Sequence, residues 1–196
     1  MNVSSSWGVA ARAAWRLDPA VAYLNHGGFG VTPEAVFTEQ DRWRTRIERN
    51  PTQFLTYEVE EALRAATAQV AKAIGAAAED VVFVENATTG LNAVLRALDF
   101  EPGEELLITS LSYPAIRKAA YYAASRCGVR VIEAEIPLPL PDKAALLRAV
   151  AGKLGSRTRL AIFDHIASHS ALLLPADELT RLAREAGARV MIDGAH

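Results

Sequence analysis

The feature that most constrains this chain is an alternation. From about residue 55 onward, short runs of β-branched or apolar residues are separated by longer amphipathic stretches. The runs are VVFV at 81–84, ELLIT at 105–109, VRVIEA at 129–134, RLAIF at 159–163 and RVMID at 189–193. Each is too short for a stable helix and is bounded by glycine, proline or charged residues, so each reads as a strand. Between them Leu63, Ala66, Val70, Ala73 and Ile74 repeat at helical spacing, with Gly75 as the stop. Leu91, Val94, Leu95 and Leu98 do the same before a turn at Pro102-Gly103, and helices are expected over 116–125, 143–154 and 177–186. Strands alternating with helices of this length require βαβ crossovers, and hence a mostly parallel sheet buried on both faces. The expected fold class is α/β, a three-layer α/β/α domain.

Composition narrows the class further. The chain is 51% hydrophobic and 22% charged over 196 residues, which a packed globular domain needs and a disordered one lacks. The net charge is -2 and no block of five like charges occurs, so neither nucleic acid nor an acidic membrane is an expected partner. The single cysteine, Cys127, excludes a disulfide framework and an all-cysteine metal site. The start MNVSSSWGVAARAAWRLDP has no apolar core of signal-peptide type, and 18 uninterrupted apolar residues occur nowhere. A soluble, cytoplasmic protein is expected. Alanine supplies 37 residues, which favours helices locally, while lysine supplies only four against 17 arginines.

Residues 1–50 read as an N-terminal arm and a linking helix, and 51–196 as the main domain. Asn25-His26-Gly27-Gly28-Phe29-Gly30 is a glycine-dense turn, followed by a helix near Pro33-Glu34 with Thr32 as the expected N-cap. The last residues, Asp193-Gly194-Ala195-His196, fall just past a strand, where α/β sheets place ligand groups. The domain therefore reads as truncated.

Three segments have the residue types for chemistry, and each also has a plain structural reading. The turn Asn86-Ala87-Thr88-Thr89-Gly90 joins an expected strand to a helix, so free backbone N–H groups and hydroxyls could face a phosphate; Thr as a simple N-cap is the alternative. It is neither a P-loop nor a dinucleotide fingerprint, because neither glycine pattern is present. Asp193, at a strand's C-terminal end, could pair with a protonated ring nitrogen, or merely cap the next segment. Tyr113, between a strand and a helix, could stack on an aromatic ligand or be a rim tyrosine. Asp164, His165 and His169 have metal-ligand residue types, but they follow a strand into an irregular segment, and no metal is expected.

Taken together, VENATTGLNAVLRAL, TSLSYPAIRKAA and ARVMIDGAH, in this order and spacing, resemble the class V aminotransferases. These are pyridoxal 5'-phosphate (PLP) enzymes of fold type I that include the cysteine desulfurases. The arm YLNHGGFG is most similar to the isopenicillin-N-epimerase-like branch, and the resemblance runs from Tyr23 to His196. It implies that Ala87 and Thr88 bind the PLP phosphate and that Tyr113 stacks on the pyridine ring. It further implies that Asp193 pairs with the ring nitrogen and that His196 approaches the phenolic oxygen. Ser168 falls where desulfurases place an Asn for that same oxygen, and Asn25, His26 and Gly27 match a motif that faces substrate. Tyr113, Asp193 and His196 are the implied catalytic residues.

The resemblance also implies a Schiff-base lysine some two dozen residues beyond the Asp-Gly-Ala-His strand. The four lysines here, Lys72, Lys118, Lys143 and Lys153, all precede it. The expected function is a PLP-dependent enzyme acting on an amino acid, namely a carbon–sulfur lyase, epimerase or aminotransferase, working as a homodimer. This chain, without the lysine, is expected to be inactive alone. The competing readings are a cysteine desulfurase-like fragment, a non-catalytic α/β binding module and a generic nucleotide-binding domain.

Overall fold

The computed structural model describes Gly8 and residues 11–196. The start of the expected arm, residues 1–7, 9 and 10, lies outside the described residues. Two compact units result, one ending at Phe83 and one running Val84–His196.

The second unit contains a four-stranded sheet. Its strands are β1 Glu105–Thr109, β2 Arg130–Ala134, β3 Thr158–Asp164 and β4 Arg189–Asp193, in the order β2-β1-β3-β4. Every pairing is parallel. Four of the five expected strands are therefore present, and each connection carries a helix as a parallel sheet requires. These helices are α5 Pro114–Cys127, α6 Lys143–Ala151 and α7 Ala176–Glu185, preceded by α4 Ala87–Ala97.

The period-two geometry of the strands assigns their side chains to two cores. Leu106, Ile108, Leu160 and Ile162 pack with Leu91 and Leu95 of α4 and with Ile116, Ala120 and Ala124 of α5. Leu107, Ala161 and Phe163 pack on the opposite face, with Leu146 and Val150 of α6 and Leu179 and Ala183 of α7. Helices thus cover both faces, and the unit is the three-layer α/β arrangement expected.

The fifth expected strand is not one. Residues 81–84 pair with no strand among the described residues, and Val82 is 78% exposed. An apolar β-branched run has the propensity for a strand, but a strand exists only through a ladder partner.

The first unit is helical. α1 Glu34–Arg49, the short α2 Pro51–Gln53, a π-helical turn over Phe54–Glu58 and α3 Val59–Ile74 follow one another almost without interruption. The cap of α1 is Pro33, with no side-chain hydrogen bond, rather than the expected Thr32. Pro fits there because its missing N–H has no intrahelical partner to lose. Gly75 ends α3 as expected, in the left-handed conformation at φ 73°, where a Cβ would be strained. Arg46 links α1 to the π-helical turn through an ion pair to Glu58 at 2.6 Å, with its guanidinium over the Phe54 ring. Among the described residues no helix is long and apolar enough to cross a membrane.

Candidate active site

Because all four strands are parallel, their C-terminal ends meet at one edge of the sheet. β3 ends in Asp164 and β4 in Asp193, and the two are paired residue to residue in the ladder. Registered neighbours in a sheet project to the same face. Ile162 and Met191, two residues earlier on each strand, pack on the α4–α5 side, so both carboxylates belong to that side as well.

β1 ends at Thr109 and passes through a tight turn into α5. Ser112 Oγ accepts from the Thr109 N–H at 3.2 Å, and the Ser112 N–H donates to the Thr109 carbonyl at 3.1 Å. This turn delivers Tyr113 to the N-terminus of α5, with Pro114 as the first helical residue. Tyr113 is 39% exposed, leaving ring surface open, while its backbone N–H donates to Asp164 Oδ1 at 3.3 Å.

α4 brings the third element. Its C-terminal half and that of α5 line one cavity of about 440 Å³ through Leu95, Arg96, Leu98, Arg126 and Cys127. The C-terminal halves of the two helices therefore lie side by side on this face of the sheet. At the α4 N-terminus the cap is Asn86, whose Oδ1 accepts from the Thr89 N–H at 2.8 Å; the Gly90 N–H donates to the Asn86 carbonyl at 3.1 Å. The simple-cap reading of the threonines is thereby corrected, since Asn86 does that work. The Ala87 and Thr88 N–H groups are the ones left uncommitted, at the positive end of the helix dipole.

The remaining expected residues are placed as follows. Ser168 is half-buried in the turn after β3, which the Ala171 N–H closes onto the Ala167 carbonyl at 2.8 Å. His196 is exposed three residues beyond Asp193, whose Oδ1 accepts the Ala195 N–H at 3.1 Å. Asn25, His26 and Gly27 belong to the first unit, in a turn closed by the Phe29 N–H on the Asn25 carbonyl at 3.0 Å. The Tyr23 hydroxyl donates to the Phe29 carbonyl, and the Tyr23 ring meets His26 edge-on at 5.0 Å. A Cβ at Gly28 would come within 2.9 Å of Asn25 Oδ1, so a larger residue there would displace the Asn25 side chain. His165 is exposed, and among the described residues no three His, Cys, Asp or Glu side chains are grouped to hold a metal.

A further residue at this edge has no site role in the sequence reading. Asp164 is only 3% exposed, its Oδ2 has no hydrogen-bond partner, and burial raises its pKa above the usual carboxylate range. The charge of Asp193 adds to that rise, while the Tyr113 N–H opposes it. The signal was available: RLAIFD and RVMID are two apolar strands that each end in aspartate.

An α/β sheet whose strand ends gather the N-terminus of α5, an aromatic residue and two aspartates belongs to the class of α/β folds that place small-ligand sites at the sheet's C-terminal edge. The aminotransferase class-V family profile matches residues 23–196, and the chain belongs to that family. It is 33% identical to isopenicillin N epimerase of Streptomyces clavuligerus over 186 residues, which cover 95% of this chain and 47% of that protein. It is 29% identical to an L-cysteine desulfhydrase of Arabidopsis thaliana, covering 90% of this chain and 42% of that one. Among solved structures it superposes on the cystine C–S lyase C-DES in complex with cysteine persulfide, with a TM-score of 0.79 and 27% identity, covering 89% of this chain and 47% of that one. A C-DES variant with glycine covalently linked to its PLP cofactor gives a TM-score of 0.81 at 28% identity, covering 94% and 49%. The chain spans about half the length of the relatives it matches.

Proposed function

We propose that this chain provides the cofactor-binding half of a PLP-dependent site acting on an amino acid, with carbon–sulfur lyase or epimerase chemistry ahead of transamination. The observation that carries the reading is the set of groups that the sheet unit offers, with Tyr113 tied to the sheet edge where Asp193 ends β4. Two uncommitted N–H groups stand at the start of α4, an exposed tyrosine ring at the start of α5, and a carboxylate at the end of β4. This set matches a phosphate, an aromatic ring and a protonated ring nitrogen respectively. When bound, PLP supplies an electron sink for charge developing at the substrate's α-carbon.

The chain's own residues have distinct tasks. Ala87 and Thr88 N–H groups, with the Thr88 hydroxyl, hold the phosphate by charge-assisted hydrogen bonds on the helix's positive end. Tyr113 covers one face of the ring. Asp193 keeps a proton on the ring nitrogen, because a nearby carboxylate favours the charged form. His196 and Ser168 serve the phenolic oxygen.

All four lysines are exposed, and Lys143 is held by Glu178 at 2.6 Å. None has the burial of a lysine tuned for covalent chemistry. On this reading the 196 residues bind the cofactor but are catalytically silent by themselves, and the working enzyme is a homodimer. Equilibrium dialysis of the purified chain against PLP tests this. Saturable binding is expected, weakened about tenfold or more by Asp193→Ala, which corresponds to roughly 1.4 kcal/mol. Turnover of cysteine or another amino acid at ordinary enzyme rates by this chain alone would sink the proposal.

A further inference from the structure

Asp164 is the buried titratable group that the functions above leave unused. It is a carboxyl almost wholly removed from water, with one oxygen accepting from the Tyr113 backbone and the other unpartnered. Burying such a group costs free energy, so its retention at a strand end calls for a compensating role. Two contacts show what that role is. Oδ1 reaches across from β3 to the turn between β1 and α5, and the residue stands in register with Asp193 on β4.

We propose that Asp164 is a positioning residue: its buried carboxyl pins the Tyr113 backbone to the end of β3 beside Asp193, tying the ring-facing and the charge-bearing residues to one strand end. As a statement about cofactor geometry this rests on the PLP reading; the pinning itself does not. The alternative anchor for Tyr113 is weak. Its N–H is the N-cap donor of α5, outside the helix's own ladder, and its side chain makes no capping hydrogen bond. Without Asp164 the Tyr113 N–H would have no partner, and the turn's other hydrogen bonds, those of Ser110, Leu111 and Ser112, hold it upstream of Tyr113.

Among the described residues, the one other ionisable side chain acting on Asp164 is Asp193 from β4, and the Tyr113 backbone N–H and the Ser112 hydroxyl are the polar groups beside it. Desolvation dominates and raises the Asp164 pKa, so the folded state favours the neutral acid. Because the folded pKa lies above the unfolded one, this group's contribution to stability is full below the unfolded value of about 3.9 and is lost as pH rises through the folded value.

Nuclear magnetic resonance on the full chain tests the proposal. The Tyr113 amide shift should titrate in one step with a midpoint above about pH 3.9, and Asp164→Asn should abolish that step. Asp164→Asn keeps an acceptor oxygen, so Tyr113 amide exchange should stay as slow as in the unsubstituted chain. Asp164→Ala removes the acceptor and should speed that exchange on the order of tenfold, the equivalent of one such hydrogen bond. PLP affinity measured by dialysis should follow the same order, retained in Asp164→Asn and weakened in Asp164→Ala. A Tyr113 amide blind to Asp164 ionisation, or exchanging equally fast in the unsubstituted chain and the Ala variant, overturns the pinning. If Asp164→Ala fails to fold, the titration of the unsubstituted chain and Asp164→Asn still decide. If the unsubstituted chain binds no PLP, the PLP reading and the cofactor part of this proposal fall together, and the amide data alone judge the pinning.

Discussion

Helices α3 and α5 make an instructive pair, one from each unit. Both are of similar length, both show apolar residues at helical spacing, and both end in a glycine in the left-handed conformation. In α5 the apolar stripe is closed off: Ile116, Ala120 and Ala124 are buried against the sheet. In α3 the corresponding stripe is largely open, with Leu63 51% and Ile74 66% exposed and only Thr67 and Ala71 buried. The difference lies in what each helix has to pack against. The sheet unit makes its own core from side chains on both strand faces, whereas the helical unit's described residues bury just Phe54, Thr67 and Ala71. Periodicity therefore states which face of a helix would be buried, and a second surface decides whether it is.

The sharpest way to break this contrast is to remove the largest fully buried side chain of the sheet unit. Phe163 is completely enclosed, between Leu146, Leu179 and their neighbours. Phe163→Ala should cost about 3–5 kcal/mol, the transfer term plus the cavity it leaves. Urea unfolding monitored by circular dichroism reads this directly. A loss below about 1 kcal/mol would mean that the sheet core is far looser than its geometry.

The α4 cap comes next. Asn86 is exposed but satisfies the Thr89 N–H through its side chain. Asn86→Ala should cost about 1 kcal/mol, as is usual for an N-cap. The Thr89 amide should lose protection from hydrogen exchange, while the Ala145 amide, capped by Asp142 at 2.6 Å on α6, should be unaffected.

These two substitutions also mark how far the sequence could be read. The strands β1 to β4 and the helices between them were legible because short β-branched runs and longer amphipathic stretches obey different periods. Three features were not. VVFV has strand propensity without a ladder partner, a fact about the rest of the molecule rather than about those four residues. The α4 cap reads equally well onto the threonines, because Thr and Asn share the preference and only geometry shows that the Asn86 side chain takes the Thr89 N–H. Asp164 reads in the sequence only as a metal-ligand type beside His165 and His169, because its link to the α5 turn, which arrives from another strand, is not written in its neighbours. Tyr113 and Asp193 were legible as a pair of elements at one edge, but not the residue that joins them.

A smaller effect is expected on the exposed α3 stripe. Leu63→Lys replaces an apolar side chain that is already half in water, so it should change stability by no more than about 0.5 kcal/mol. The outcome sharpens the comparison, because it reports whether the stripe is open in solution. A cost of 2 kcal/mol or more, or a shift to a smaller species by light scattering, would show that Leu63 is covered by a second copy of the chain.

The smallest effect belongs to the ion pair between Arg16 and Glu34, which meet at 2.6 Å on the surface of the helical unit. The Arg16 hydrogen bond holds the Glu34 carboxyl below its ordinary pKa, and both side chains are exposed. Since the folded pKa is the depressed one, the pair's contribution is present above the unfolded value and is lost as pH falls through the folded value. Asp164 in the sheet unit has the opposite sign, because there burial rather than a cation sets the shift. The two units should therefore respond oppositely to acid at these two residues. Glu34→Gln should leave the melting temperature at pH 7 almost unchanged, because long exposed side chains lose entropy in pairing and are screened by water. Raising the salt to 1 M should erase whatever difference remains, as the Debye length falls to about 3 Å. A loss that persists in high salt would mean that Glu34 contributes through packing at the start of α1, and the helical unit would then have more of a core than its exposed stripe indicates.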